Sequence, residues 1–278
     1  MQVNLEPEET DLLVKFEIDN FPTEYRDYYR MKRNNLFARI QGFPALWRLY
    51  VQLDEIWMRE FSDLQSPRET CSMLPLLCCM NCHAKIRVSL ELAFSDCLAE
   101  ARSILRDAIE FFAHAHAMHN DAGLQKTWLE KINGKQELEA FKDAFERNKK
   151  HGLFKNLDEL HKTWSQLSET GSHANAIAMA ERFVQIESGD NIEFRLNYTG
   201  TETKMWATTV FTMLLTCSTI EKTFFNDYNE RLKLDGELLR KRAAFENEKE
   251  KLRSSVIDVF QVSPPGGIHR PRTIIFTP

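Results

Sequence analysis

The chain has 278 residues, 43% hydrophobic and 28% charged, the balance of one globular domain with room for appendages. A formal net charge of −5 excludes a nucleic-acid binder that relies on bulk charge and leaves only a local basic patch for RNA. Glycine is scarce (10) and phenylalanine abundant (19), which favours helices over turn-rich β architecture.

Residues 1–22 are acidic and end in Phe21-Pro22, so they read as a loose N-terminal arm without the basic and then apolar pattern of a signal peptide. A helix begins at Thr23, an N-cap with Glu24 behind it, and stops at Gly42-Phe43-Pro44. Pro44 suits the first turn of the next helix. There Leu46, Leu49, Tyr50, Leu53, Ile56, Trp57 and Phe61 recur at three and four residues, a core-facing stripe. Ser66-Pro67 breaks the chain. From Pro75 to His119 no further Pro or Gly occurs, and Leu90, Phe94, Cys97, Ala101, Ile104, Leu105, Ala108, Phe111 and Phe112 keep a helical period. This predicts one very long helix, or two nearly collinear ones, roughly 60 Å of rod at 1.5 Å per residue and the spine of a bundle.

Helices are expected next at roughly 124–149 and 156–169, then Gly171-Ser172 and a short helix over 173–185. Val184 to Glu187 and Ile192 to Tyr198 alternate apolar and polar residues around Gly189-Asp190-Asn191, which predicts a small β-hairpin over about 184–198. A long helix resumes near Glu202 and runs to about Leu234, closing a bundle domain of residues 23–234. Residues 235–254 are charge-rich and read as a solvated helical arm or short coiled coil. The tail 255–278 carries Pro264-Pro265-Gly266-Gly267 and the apolar Ile274-Ile275-Phe276; it is expected to dock on the hairpin or on a second subunit. The fold class is thus mainly α: a helical bundle on a long central helix, with one hairpin and an extended C-terminal tail. The longest apolar run, near Met213 to Cys217, is far too short to span a bilayer, and Asn197-Tyr198-Thr199 reads as a chance sequon. Four of the six cysteines (Cys71, Cys78, Cys79, Cys82, Cys97, Cys217) lie between residues 71 and 82 of a helical pattern. That is no disulfide framework and fits a reducing, cytoplasmic setting.

Cys79-Met80-Asn81-Cys82-His83 matches the short pattern of covalent haem attachment, but only three of its residues are fixed and no export signal accompanies it. A structural zinc site wants a second ligand pair that the neighbouring sequence lacks, so the cysteines read as small apolar fillers and no cofactor is expected. His114, His116 and His119 fall at a helix end, where the dipole favours them. A metal centre would pair Glu110 with His114 at i, i+4. Di-iron bundles instead repeat Glu and His at i, i+3, and no Glu-x-x-His occurs in this chain. Arg102, Arg106, Glu110 and His114 step by four along one helix, a ladder suited to i, i+4 ion pairs or to a polar seam. Between two helices, Ser168, Thr170, Ser172, His173 and Asn175 gather polar groups. Ser172 is placed to cap the second helix, and His173 falls in its first turn, where the dipole favours a neutral imidazole for acid/base or ligand contact.

The segments Glu100 to Glu110 and Trp164 to Glu169, with His173 following, resemble those of uncharacterised bacterial all-helical proteins, some of which are similar to the HEPN superfamily; the resemblance covers roughly residues 85–230. It implies a dimerising helical bundle. Many members act in toxin–antitoxin or phage-defence systems and cleave RNA, using an Arg followed after four to six residues by His. Here Arg147 to His151 is closer than that and Arg106 to His114 further apart. The resemblance carries over Arg102, Arg106, Glu110 and His173 as candidate catalytic positions. The sequence thus points to a helical, homodimeric self-association and partner-binding module of a bacterial stress or defence system. The alternatives are a HEPN-like ribonuclease, with His173 meeting Arg102 and Arg106 in a cleft, and a metal-binding bundle using Glu110, His114 and His173.

Overall fold

A computed structural model describes residues 22–64, 73–170, 183–188, 191–196, 202–232 and 235–260. Its helices are α1 (Thr23–Gly42), α2 (Pro44–Asp63), α3 (Met73–Phe94), α4 (Leu98–Met118), α5 (Ala122–Glu130), α6 (Lys135–Phe141, continued by a π-helical turn Lys142–Glu146), α7 (Asp158–Thr170), α8 (Thr203–Tyr228) and α9 (Gly236–Phe260). The alternating segment forms two antiparallel strands, β1 (Phe183–Ser188) and β2 (Asn191–Leu196), in register from Phe183 opposite Leu196 to Ser188 opposite Asn191. The short helix expected over 173–185 falls mostly outside the described residues, and from Phe183 onward the chain is strand. No described helix is long and apolar enough to cross a membrane.

The expected central rod does not form. The chain reverses at Ser95-Asp96-Cys97, so α3 and α4 pack side by side as an antiparallel hairpin. Ser89 Oγ donates to the Ala101 carbonyl at 2.7 Å and Lys85 Nζ lies 3.5 Å from Asp107, contacts that only an antiparallel pair can make. The reversal uses a Schellman closure: the Asp96 N–H reaches the Ala93 carbonyl and the Cys97 N–H reaches Leu92. Such a closure puts one residue in the left-handed region, usually glycine; here it is Asp96, with φ 67°. An ion pair from Arg39 to the Asp96 carboxylate at 2.8 Å offsets that strain.

Around the hairpin the core is aromatic. Trp57, Phe94, Phe112, Trp206, Phe224 and Tyr228 are buried, and the Trp206 indole donates to the Ala93 carbonyl at 2.8 Å. The stripe of α2 faces this core through Leu46, Leu49, Leu53, Ile56 and Trp57. Cys78, Cys79, Cys82, Cys97 and Cys217 are buried free thiols. Burial pushes the Cys78 thiol up to about 11 and Cys217 up to about 12, so neither is a nucleophile at neutral pH.

The charge-rich stretch after Asp235 is helical but is not a free arm. Leu238 and Phe245 enter the core, and α9 lies along α2. Arg242 anchors it. Its guanidinium bonds Glu60 of α2 at 2.5 Å and also Glu221 of α8, while stacking on Phe225 at 3.7 Å. Glu60 is fully buried and Glu221 nearly so. One guanidinium neutralises one carboxylate, so burial, reinforced by the neighbouring Glu221, holds the Glu60 carboxyl far above its usual range and protonated at neutral pH. Burial raises Glu221 as well, opposed by Arg242.

Two substitutions test this latch by guanidinium titration. Arg242→Met strands a buried carboxylate and is expected to cost about 3–5 kcal/mol. Glu60→Gln keeps the shape of the protonated acid. A raised folded-state pKa gives stability that is present below the ordinary value of 4.5 and lost as pH rises above it. The stability of Glu60→Gln relative to wild type therefore climbs from acid to neutral pH; a flat difference would show that Glu60 is ionised in the fold.

Candidate functional site

The two segments of the HEPN resemblance meet along α4 and α7. Arg106 Nε donates to Ser168 Oγ at 2.7 Å, and its guanidinium lies over the Trp164 ring at 4.8 Å and 3.6 Å from Glu110. Glu110 accepts from Lys149 Nζ at 3.0 Å and from the Trp164 indole at 3.2 Å. The Ser168 hydroxyl itself donates to the Trp164 carbonyl at 2.8 Å. Burial alone would raise the Glu110 carboxyl, but Lys149, Trp164 and Arg106 together outweigh it and hold it below the usual glutamate value. At neutral pH Glu110 is therefore a fixed anion, and Ser168 has its proton directed into its own helix. Arg102, one turn before Arg106, is buried. His173 lies outside the described residues, as do Ser172 and Asn175.

His114, the fourth rung, leaves this network. Its ring stacks on Phe141 at 6.0 Å and packs against Phe145 at 5.0 Å. Burial lowers its pKa to about 4, so it is neutral at pH 7. His114 also lines a cleft of about 320 Å³ together with Asp107, Glu110, Phe111, Trp128 and Lys131. The other histidines of the cluster diverge: His116 Nδ1 sits 2.7 Å from Asp227, and His119 meets the Tyr228 ring edge-on at 4.3 Å. Among the described residues no three His, Cys, Asp or Glu side chains lie close enough to hold a metal. The histidine of the Cys-x-x-Cys-His run is likewise engaged elsewhere. His83 Nε2 lies 2.8 Å from Asp54, which also takes two bonds from Arg87 at 2.7 Å, and the His83 ring stacks on Trp57. Burial would raise the Asp54 carboxyl, but these bonds overcome it and lower it to about 2.

One surface escaped the sequence reading. None of the twenty residues of α1 is buried, and Tyr25, Tyr29 and Phe37 are 59%, 57% and 55% exposed. At about 100° per residue, Arg26, Arg30, Arg33 and Phe37 fall within roughly 60° of one another on this helix, with Tyr29 beside them. The signal was present in the sequence: five basic against two acidic residues between Thr23 and Gly42, in a chain whose net charge is negative. Charge summed over the whole chain conceals it.

The His114 environment has a measurable consequence. A depressed folded-state pKa gives stability that is present above the ordinary value of 6.5 and lost as pH falls towards about 4. His114→Phe keeps the aromatic packing without the titration. Between pH 7 and pH 5, wild type should lose about 2 kcal/mol more than the variant, at about 1.4 kcal/mol per pH unit below 6.5. Parallel curves in denaturant titrations would show that His114 protonates freely in the fold. No protein-family model, no curated protein and no solved structure matches this chain.

Proposed function

We propose that this chain is a helical binding module that engages an anionic partner, best matched by a single-stranded nucleic acid, through the outward face of α1. The observation that carries this is a twenty-residue helix with no buried residue that exposes aromatic rings beside a line of arginines. Two of its five cations hold the helix in place: Lys32 reaches Glu91 at 3.3 Å, and Arg39 pairs with Asp96 while lying over Trp206 at 4.6 Å. Leu36 and Ile40 pack the same side against the core. Arg30 and Arg33 are exposed and face outward, half-buried Arg26 donates to Thr23 Oγ1 at 3.2 Å one turn before them, and the three span about 10 Å of helix with Phe37 one turn beyond. The Arg30–Asp27 pair is exposed and yields readily to a better anion. A second copy of this face brought up across a two-fold axis would set arginines against arginines, so the surface fits an unlike, anionic partner better than itself. A single strand supplies both phosphates for the guanidinium groups and base faces for Tyr29 and Phe37. An acidic polypeptide supplies only the charge, and a duplex hides its base faces. The α4–α7 seam favours binding over turnover, because a HEPN-like ribonuclease would need Arg106 released from Ser168 and Trp164.

The test compares a short fluorescent oligouridine, a duplex and polyglutamate, with wild type, the Arg26→Ala/Arg30→Ala/Arg33→Ala variant and the Tyr29→Ala/Phe37→Ala variant. Wild type is expected to bind oligouridine at about 50 mM salt and to lose roughly twentyfold in affinity by about 200 mM, the slope for three phosphates of a single strand. The arginine variant abolishes binding of every polyanion, and the aromatic variant costs about tenfold on oligouridine alone. Preference for polyglutamate would assign the face to an acidic polypeptide. Absence of binding to any polyanion would overturn the proposal, and cleavage of the oligouridine by clean wild type would favour the ribonuclease.

A further inference from the structure

The cleft beside His114 shows a mismatch between its walls and its resident cation. One face of α4 supplies Asp107, Glu110, Phe111 and His114, at i, i+3, i+4 and i+7, and α5 with the residue after it supplies Trp128 and Lys131. Lys131 Nζ lies over the Trp128 ring at 4.2 Å and over the Phe141 ring at 4.8 Å. No carboxylate among the described residues lies within ion-pair distance of that ammonium, although two carboxylates line the same cleft. Glu110 is engaged by Lys149 and Trp164. Asp107 is held loosely: Arg106 and Lys85 approach it only to 3.4 and 3.5 Å, longer than an ordinary charge-assisted hydrogen bond, and nearly half of its side chain is exposed.

We infer that this cleft is a binding site for a small organic ammonium ion, whose charged head takes the place of Lys131 over Trp128 while contacting the Asp107 carboxylate. Ring faces and a carboxylate are together the chemistry that selects such cations over metal ions, because the alkyl body gains from the aromatic walls. Lys131 mimics the ligand from within the chain but reaches only the rings. A free ligand reaches rings and carboxylate at once, so the tethered ammonium is a competitor rather than a structural partner. The neutral His114 ring adds an uncharged wall that does not repel a cation. At about 320 Å³ the space suits a few heavy atoms, such as a short diamine or a quaternary ammonium. The anion-binding face of α1 plays no part here, so the two proposals stand or fall separately.

The competitor relation gives the test its sign. Titrations of the full chain with 1,4-diaminobutane and with tetramethylammonium, followed by calorimetry at constant ionic strength, are compared with the neutral 1-butanol. Wild type should show saturable binding of at least one ammonium and none of the alcohol. Lys131→Ala should tighten it about fivefold by removing the competitor, and Asp107→Asn and Trp128→Leu should each weaken it by about as much, with unchanged melting temperatures for Lys131→Ala and Asp107→Asn. Lack of saturable binding by both wild type and Lys131→Ala would overturn the inference. An affinity that Lys131→Ala leaves unchanged or lowers would do the same.

Discussion

The reversal of the chain at Ser95-Asp96-Cys97 decides where nearly every polar group of the molecule ends up. Were α3 and α4 one rod, Lys85 and Asp107 would lie far apart along it, at 1.5 Å for each intervening residue; folded back, they are neighbours. The same turn anchors α1, because the Asp96 carboxylate that sits in the left-handed corner is the partner of Arg39. It also places the Ala93 carbonyl where the Trp206 indole of α8 can reach it. Backbone strain at one residue is thus offset by contacts from two other helices. The carboxylate is more than a substitute for glycine there, because glycine would relieve the strain and lose the anchor.

Three ion networks inside the bundle share a logic that the surface of α1 does not follow. At Glu60, Glu221 and Arg242 the cation is outnumbered, and protonation of one carboxyl balances the charge. At Arg106, Glu110 and Lys149 the anion is outnumbered, and Trp164 disperses the excess by taking both cations over its ring. At Asp54 one carboxylate serves His83 and Arg87. Most of these groups are bonded by their neighbours, as a buried or half-buried charge requires, and Glu60 Oε2 alone among them is buried without a hydrogen-bond partner. Arg30 and Arg33 point outward, and Asp107 is only loosely bonded. The weakly held charge, including Arg30 in its exposed pair with Asp27, lies at the surface of α1 and at the rim of the cleft, which are therefore the places to look for partners.

Much of the bundle was legible from residue spacing. The three-and-four pattern from Leu46 to Phe61 placed the buried face of α2, Pro44 marked its start, and the alternation after Phe183 is paired backbone. What escaped is physically specific. The turn at Asp96 carries no glycine or proline, because an aspartate paired with an arginine of another helix does the work that glycine usually does, and that Arg39 is 57 residues away in the sequence. The α9 helix looked solvated because its buried apolar residues among those described are few, Leu238 and Phe245, and because a half-buried arginine reads like a surface one until its two carboxylates are seen to come from other helices. The ladder from Arg102 to His114 was visible as a polar stripe. Its closure by Lys149 and by the Trp164 indole was not, since these partners lie 39 and 54 residues from Glu110 and nothing in their local sequence marks them.

The charge of the whole chain misleads for a related reason. Residues 23–42 carry +3, so the remaining residues together carry −8. A polyanion approaching at low salt meets attraction from one helix and repulsion from the rest of the surface. At distances beyond a Debye length, about 10 Å in ordinary buffer, attraction and repulsion are both largely screened and there is no long-range steering. Within that distance the arginines of α1 dominate, and because they span only about two turns, contact is limited to a few phosphates. Binding on such a helix depends on stacking for much of its strength, which is why the exposed rings of Tyr29 and Phe37, costly to leave in water, matter as much there as the guanidinium groups beside them.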